Sequence, residues 1–102
     1  MKILITGTSQ GIGKAIAERF LKEDHEVIGI DRQKTGIEYR RYTHYQLDVR
    51  DYDKFPDIPG INILINNAGT QNEDDIDINL KALIHITEKY GVQDQIRSIL
   101  NI

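Results

Sequence analysis

Eight consecutive residues, Thr6-Gly7-Thr8-Ser9-Gln10-Gly11-Ile12-Gly13, constrain this chain more than any others. They follow an apolar run, Ile3-Leu4-Ile5, and precede a segment with helical periodicity, so the glycines fall in a strand-to-helix turn. Gly7 can adopt dihedrals closed to other residues. Gly11 carries no Cβ where a backbone must approach a pyrophosphate, and Gly13 lets helix and strand pack closely. The helix start then offers unpaired N–H donors and partial positive charge to phosphates, with Ser9, Gln10 and Ile12 filling the loop between the glycines. A P-loop fails on spacing. It would need glycine at position 8 and Ser or Thr at position 15, where Thr8 and Ala15 stand. For the glycines taken alone, a tight turn without a ligand remains the alternative.

The turn sits in a repeating α/β pattern. Further apolar runs occur at Val27-Ile28-Gly29-Ile30, Tyr45-Gln46-Leu47-Asp48-Val49, Ile61-Asn62-Ile63-Leu64-Ile65 and Ile99-Leu100-Asn101-Ile102. Their continuous apolar character predicts strands buried on both faces, the habit of a parallel sheet. A helix is predicted from Lys14 to about Lys22, with Ile12, Ile16 and Phe20 recurring every four residues and Ala17 and Leu21 widening the stripe. A second is predicted over residues 73–90, after an N-cap-like Asn72 and ending at Gly91; Leu80, Leu83, Ile84 and Thr87 form its expected apolar stripe. The stretches after Asp31 and Asp51 show no long helical period, and Pro56 and Pro59 limit the latter to a turn or a single helical turn. One domain over 1–102 is the expectation.

Composition narrows the function classes. Thirteen Lys and Arg against 16 Asp and Glu give a net charge of −3, which argues against bulk binding to nucleic acid or anionic lipid. The basic and aromatic cluster Arg40, Arg41, Tyr42, His44 and Tyr45 is short, and cover for a sheet edge explains it better than a nucleic-acid patch. Without cysteine there are no disulfides and no thiolate chemistry. The acidic run Glu73 to Asp77 reads as a helix start rather than a metal site. No apolar run is long enough to span a membrane and no secretion signal is evident, so a soluble cytoplasmic domain is the default.

Asp31 ends the second predicted strand, 18 residues beyond Gly13. That is close to where a dinucleotide-binding fold places an acid on the adenosine ribose. A carboxylate there accepts from both ribose hydroxyls and repels a 2′-phosphate, so NAD is the expected cofactor. Arg32 keeps NADP open, because a guanidinium beside that ribose can receive the phosphate.

With these residues in place, the chain resembles the short-chain dehydrogenase/reductase family along essentially its whole length. Thr6, Gly7, Gly11 and Gly13 match its T-G-x-x-x-G-x-G; Leu47-Asp48-Val49 resembles the third-strand D-V; Asn66-Asn67-Ala68-Gly69 resembles N-N-A-G; and Asn79-Leu80 resembles the N-L of the following helix. The resemblance implies an α/β fold, a Rossmann-like doubly wound parallel sheet of about five strands in the order 3-2-1-4-5. It implies that Asp48 and Val49 meet adenine, and that Asn67, Ala68 and Gly69 lie against the nicotinamide-side ribose. It also implies that Asn79 belongs to an Asn-Ser-Tyr-Lys catalytic set, and that the helix over 73–90 builds a homo-oligomer interface.

Departures qualify the activity. Connections after Asp31 and Asp48 are shorter than in the family, so two crossover helices are expected to shrink to turns. None of Tyr39, Tyr42, Tyr45, Tyr52 and Tyr90 is followed by lysine four positions on. Ser98 precedes the last apolar run, as a strand-entry residue. Without a phenol acidified by an ammonium group, no general acid is evident for the oxygen that hydride transfer makes basic. Asn79 is then equally readable as an ordinary helix residue. The expectation is the cofactor-binding front part of an oxidoreductase acting on an alcohol or ketone, itself binding dinucleotide without turnover. The alternative is a non-catalytic nucleotide-binding or subunit-interaction module.

Overall fold

In the computed structural model, which describes residues 1–67 and 76–102, five parallel strands form one sheet in the order β3-β2-β1-β4-β5. They are β1 (Lys2–Thr6), β2 (Glu26–Asp31), β3 (Tyr42–Gln46), β4 (Ile63–Asn66) and β5 (Ser98–Asn101). Helix α1 (Gly11–Lys22) links β1 to β2, and α2 (Ile76–Tyr90) precedes β5. The expected strand order is what the chain adopts.

β1 and β2 are buried almost throughout because both sheet faces are covered. On one face Ile3, Ile5, Val27 and Ile65 pack with Ala17 and Leu21 of α1. On the other, Leu4, Ile28, Ile30 and Leu64 pack with Ala82, Ile86 and Tyr90 of α2 and with Val49 and Phe55. Side chains alternate faces along each strand, so one apolar run feeds two cores.

Several elements differ from expectation. The third strand starts and ends three residues early, at Tyr42–Gln46 rather than 45–49. The cause is local: Asp48 Oδ1 accepts from Arg50 N, capping a 3₁₀ segment over Val49–Lys54 that is broken at Asp51. Val49 therefore packs from that segment, not from a strand. The lean connections are found as expected, with no helix between β2 and β3 and only the 3₁₀ segment between β3 and β4. Ser98 opens β5 rather than preceding it.

Helix registers also shift. On α1 the buried line is Gly13, Ala17 and Leu21, while Ile12 is 61% exposed. On α2 it is Ala82, Ile86 and Tyr90, while Leu80 and Ile84 face outward, 52% and 45% exposed. Gly13, Ala17 and Ala82 let the helix backbones approach the sheet, and Leu21 and Ile86 fall on the same lines. Tyr90 joins them because its hydroxyl donates to Pro56 O at 2.6 Å. The Asn72 cap and the start of the predicted helix at residue 73 lie outside the described residues.

Candidate functional site

The glycine turn leaves β1 at the C-terminal edge of the sheet, at the centre of the strand order, where neighbouring connections part to opposite faces and leave a crevice. Gly7 (φ 81°) and Gly11 (φ 63°) both have left-handed backbones, which side chains disfavour. Among the described residues, and apart from its chain neighbours and its own helix backbone, no atom lies within 4 Å of where a Gly11 Cβ would stand. Gly13 has the opposite constraint. A Cβ there would come 1.9 Å from Gly7 O and 2.5 Å from Asn67 Nδ2, so α1 sits directly against the turn.

The start of α1 is electrostatically open. Its N-cap, Gln10, makes no side-chain cap, and no acid occupies the first turn. Its leading N–H groups thus keep their partial positive charge without a carboxylate to neutralise it. Gln10, Gly11 and Ile12 are all exposed there.

Asp31 closes one side. Its Oδ2 accepts from Ser9 N at 3.0 Å and its Oδ1 from Gln33 N at 2.8 Å. Each oxygen retains a lone pair for a further donor. Arg32 beside it is exposed. Asn67 closes the other side: its N–H donates to Thr6 Oγ1 and its Nδ2 to Gly7 O, both at 3.1 Å, tying the end of β4 to the turn. Asn66, next to it, donates through Nδ2 to Asn101 Oδ1 at 3.0 Å, while its own buried Oδ1 has no partner among the described residues. Ala68 and Gly69 lie outside the described residues.

Asp48 stands at the far end of this edge, after β3. Arg50 reaches both its oxygens, at 2.8 and 3.2 Å. Hydrogen bonding from Arg50 holds the Asp48 carboxyl below the usual carboxylate range, outweighing the opposing effect of burial. The charge is thus fixed at neutral pH but already shared with a guanidinium. Val49 follows it, buried. Asn79 is half-buried on α2 and hydrogen-bonded or otherwise engaged rather than free.

The structure therefore gathers Gly7, Ser9, Gly11, Gly13, Asp31 and Asn67 around one turn. It also brings in a group that the sequence reading left as sheet cover. Tyr42 and His44, two apart on β3, share a face and point toward the glycine turn. Tyr42 Oη lies 2.7 Å from Thr8 Oγ1 and 2.6 Å from His44 Nδ1. Gly29, inside the buried strand β2, was the available signal: a Cβ there would come 2.0 Å from Tyr42 Oη. His85 on α2 is exposed and stacked on Tyr52 with centroids 4.1 Å apart. Among the described residues no group of three or more His, Asp or Glu side chains is placed to hold a metal, and no helix is long and apolar enough to cross a membrane.

Known proteins are similar to this chain in sequence and fold. The chain is 36% identical to the 3-oxoacyl-(acyl-carrier-protein) reductase FabG of Buchnera aphidicola, covering 76% of this chain and 37% of that protein. Among solved structures, serine dehydrogenase from Escherichia coli superposes with a TM-score of 0.82 at 27% identity, over 99% of this chain and 61% of that one. Thermoplasma acidophilum aldohexose dehydrogenase, in ligand-free form, gives 0.76 at 31% identity, over 98% and 48%. The chain thus spans less than two thirds of the length of each. A family profile described as short chain dehydrogenase matches residues 1–90. Because that match runs through both helices and every strand but the last, the chain belongs to the short-chain dehydrogenase family, with its oxidoreductase fold.

Proposed function

We propose that this chain is the dinucleotide-binding portion of a nicotinamide-dependent oxidoreductase, and that it prefers NAD. The observation that carries this is the uncapped, acid-free start of α1 facing an Asp31 carboxylate that the same loop holds in place through Ser9. A pyrophosphate meets the helix N–H groups beside Gly11, where no side chain intrudes. Asp31 offers its two remaining lone pairs to the adenosine ribose diol, and its charge opposes a 2′-phosphate. Asp48 and Val49 border the adenine, and Asn67, with Ala68 and Gly69, the second ribose. A nicotinamide held there supplies hydride chemistry at an alcohol or ketone carbon. Asn79 is the only member of the family's catalytic set with a counterpart among these 102 residues, so the chain itself binds without turning over.

Calorimetric titration with NAD and NADP tests this. Binding of NAD tighter than NADP is the expected result; tighter NADP binding assigns the ribose site to Arg32, and no binding of either overturns the proposal.

A second reading, a subunit-interaction module, has its own support. Leu80 and Ile84 on α2 and Ile99 and Leu100 on the edge strand β5 are each at least 40% exposed. Such apolar surface marks association sites, and an edge strand carries unpaired backbone groups. Under this reading the chain sediments as a homo-oligomer in contact through α2. A monomer at high micromolar concentration counts against it.

A further inference from the structure

Hydrogen bonds join Thr8, Ser9, Asp31, Gln33, Tyr42 and His44 into a ring that the Thr8–Ser9 peptide bond completes, and its proton order can be deduced. Gln33 O can only accept. It takes Ser9 Oγ–H at 3.2 Å and faces His44 Nε2 at 2.9 Å, so His44 carries its proton on Nε2. With the ring proton on Nε2, His44 Nδ1 accepts, which makes Tyr42 Oη the donor across 2.6 Å. Tyr42 Oη in turn accepts from Thr8 Oγ1, 2.7 Å away. The ring closes through Gln33 N and Ser9 N, which donate to the two oxygens of Asp31. Thr8 is fully buried, so its hydroxyl has no water to turn to.

Two adjacent residues of the glycine turn are thus clamped from different strands, Ser9 by Asp31 at the end of β2 and Thr8 by Tyr42 on β3. The segment between those strands has no helix, and these side chains help to fix it. His44 does so by holding Gln33, whose N–H in turn orients Asp31.

We propose that Tyr42 and His44 are positioning residues that preorganise the glycine turn and the Asp31 carboxylate for the adenosine end of the dinucleotide. This role rests on the dinucleotide reading above. Its energetic logic is that order built into the free protein is not paid for on binding.

Three readouts test it on the full chain. Imidazole ¹⁵N shifts of the free protein should show the Nε2–H tautomer of His44; an Nδ1–H tautomer overturns the ring. In His44→Phe, amide exchange at Ser9 and Gln33 should accelerate and NAD affinity should fall about tenfold, the effect of losing roughly one net hydrogen bond. His44→Gln restores one acceptor and one donor, and should return both exchange and affinity to within about threefold of wild type. Equal affinity in wild type and His44→Phe, or a Gln variant as impaired as the Phe variant, overturns the positioning role. If wild type binds neither cofactor, the dinucleotide reading fails and this role with it, while tautomer and exchange still decide whether the ring exists. Tyr42→Phe breaks the ring at its middle and should match His44→Phe in affinity; wild-type affinity there counts against the ring.

Discussion

Individual side chains in this protein are constrained by the site more than by helix or strand propensity. Gly13 is the sharpest case: its missing Cβ is the space through which α1 approaches Gly7 O and Asn67. Both obstacles are fixed, one as backbone and the other as an amide already donating to Gly7 O. Gly13→Ala should therefore cost about 1–3 kcal/mol in urea unfolding, the range for overpacking a tight site. It should also weaken NAD binding, because the helix start moves with the turn; unchanged stability would show that the turn relaxes freely. Gly11 differs. Its positive φ, not a contact with the described residues, favours glycine, and the missing Cβ leaves the helix start bare, so the two glycines serve unlike ends.

At the scale of elements, α2 shows how a helix selects its buried face. Counting large apolar residues points to Leu80, Leu83 and Ile84, yet the sheet receives Ala82, Ile86 and Tyr90. The reversal has a mechanical cause. Ala82 lets the helix axis come close, and Tyr90 hydrogen-bonds Pro56 from the far end. Ile86→Ala should then destabilise by about 2–5 kcal/mol, the cost of a core cavity. Ile84→Ala should change stability by no more than about 0.5 kcal/mol in the monomer. Thermal melts of the two variants decide between the registers; equal losses would favour the one read from the sequence. Elements on the other edge of the sheet were less legible. Tyr42 reads in the sequence as one of a basic and aromatic cluster covering a sheet edge, and nothing local announces that its hydroxyl crosses Gly29 to reach Thr8.

For the molecule as a whole, buried phenols shape the response to alkali. Burial, as the main cause, raises the ionisation of both Tyr42 and Tyr90 above the usual tyrosine value. The folded state thus holds these protons to higher pH than the unfolded chain does. Their contribution to stability is complete below the unfolded tyrosine pKa of about 10, and is lost as pH rises from there through the folded values. Urea unfolding followed between about pH 8 and 11 should show stability falling above about pH 10. The fall should be shallower in Tyr90→Phe, although that variant starts lower by roughly 0.5–1.5 kcal/mol for the lost bond to Pro56. Parallel curves would mean that Tyr90 ionises equally in both states.

Much of this architecture follows from the amino-acid sequence without coordinates. A glycine turn between an apolar run and an amphipathic helix dictates strand, turn and helix, because glycine takes its positive φ angles without strain and fits the contact at Gly13. Continuous apolar strands dictate a sheet covered on both faces, and the ordered motifs at Thr6, Asp48, Asn66 and Asn79 carried the family and its strand order. Those signals are local, so they survive in one dimension. What only the tertiary structure decided are contacts between residues distant in sequence: the face α2 buries, the early end of β3, the capture of Asp48 by Arg50 after that strand turns, and the ring joining Thr8 to Tyr42 and His44. Each depends on how neighbouring strands and helices are spaced. A list of residues does not contain that spacing until the chain has packed.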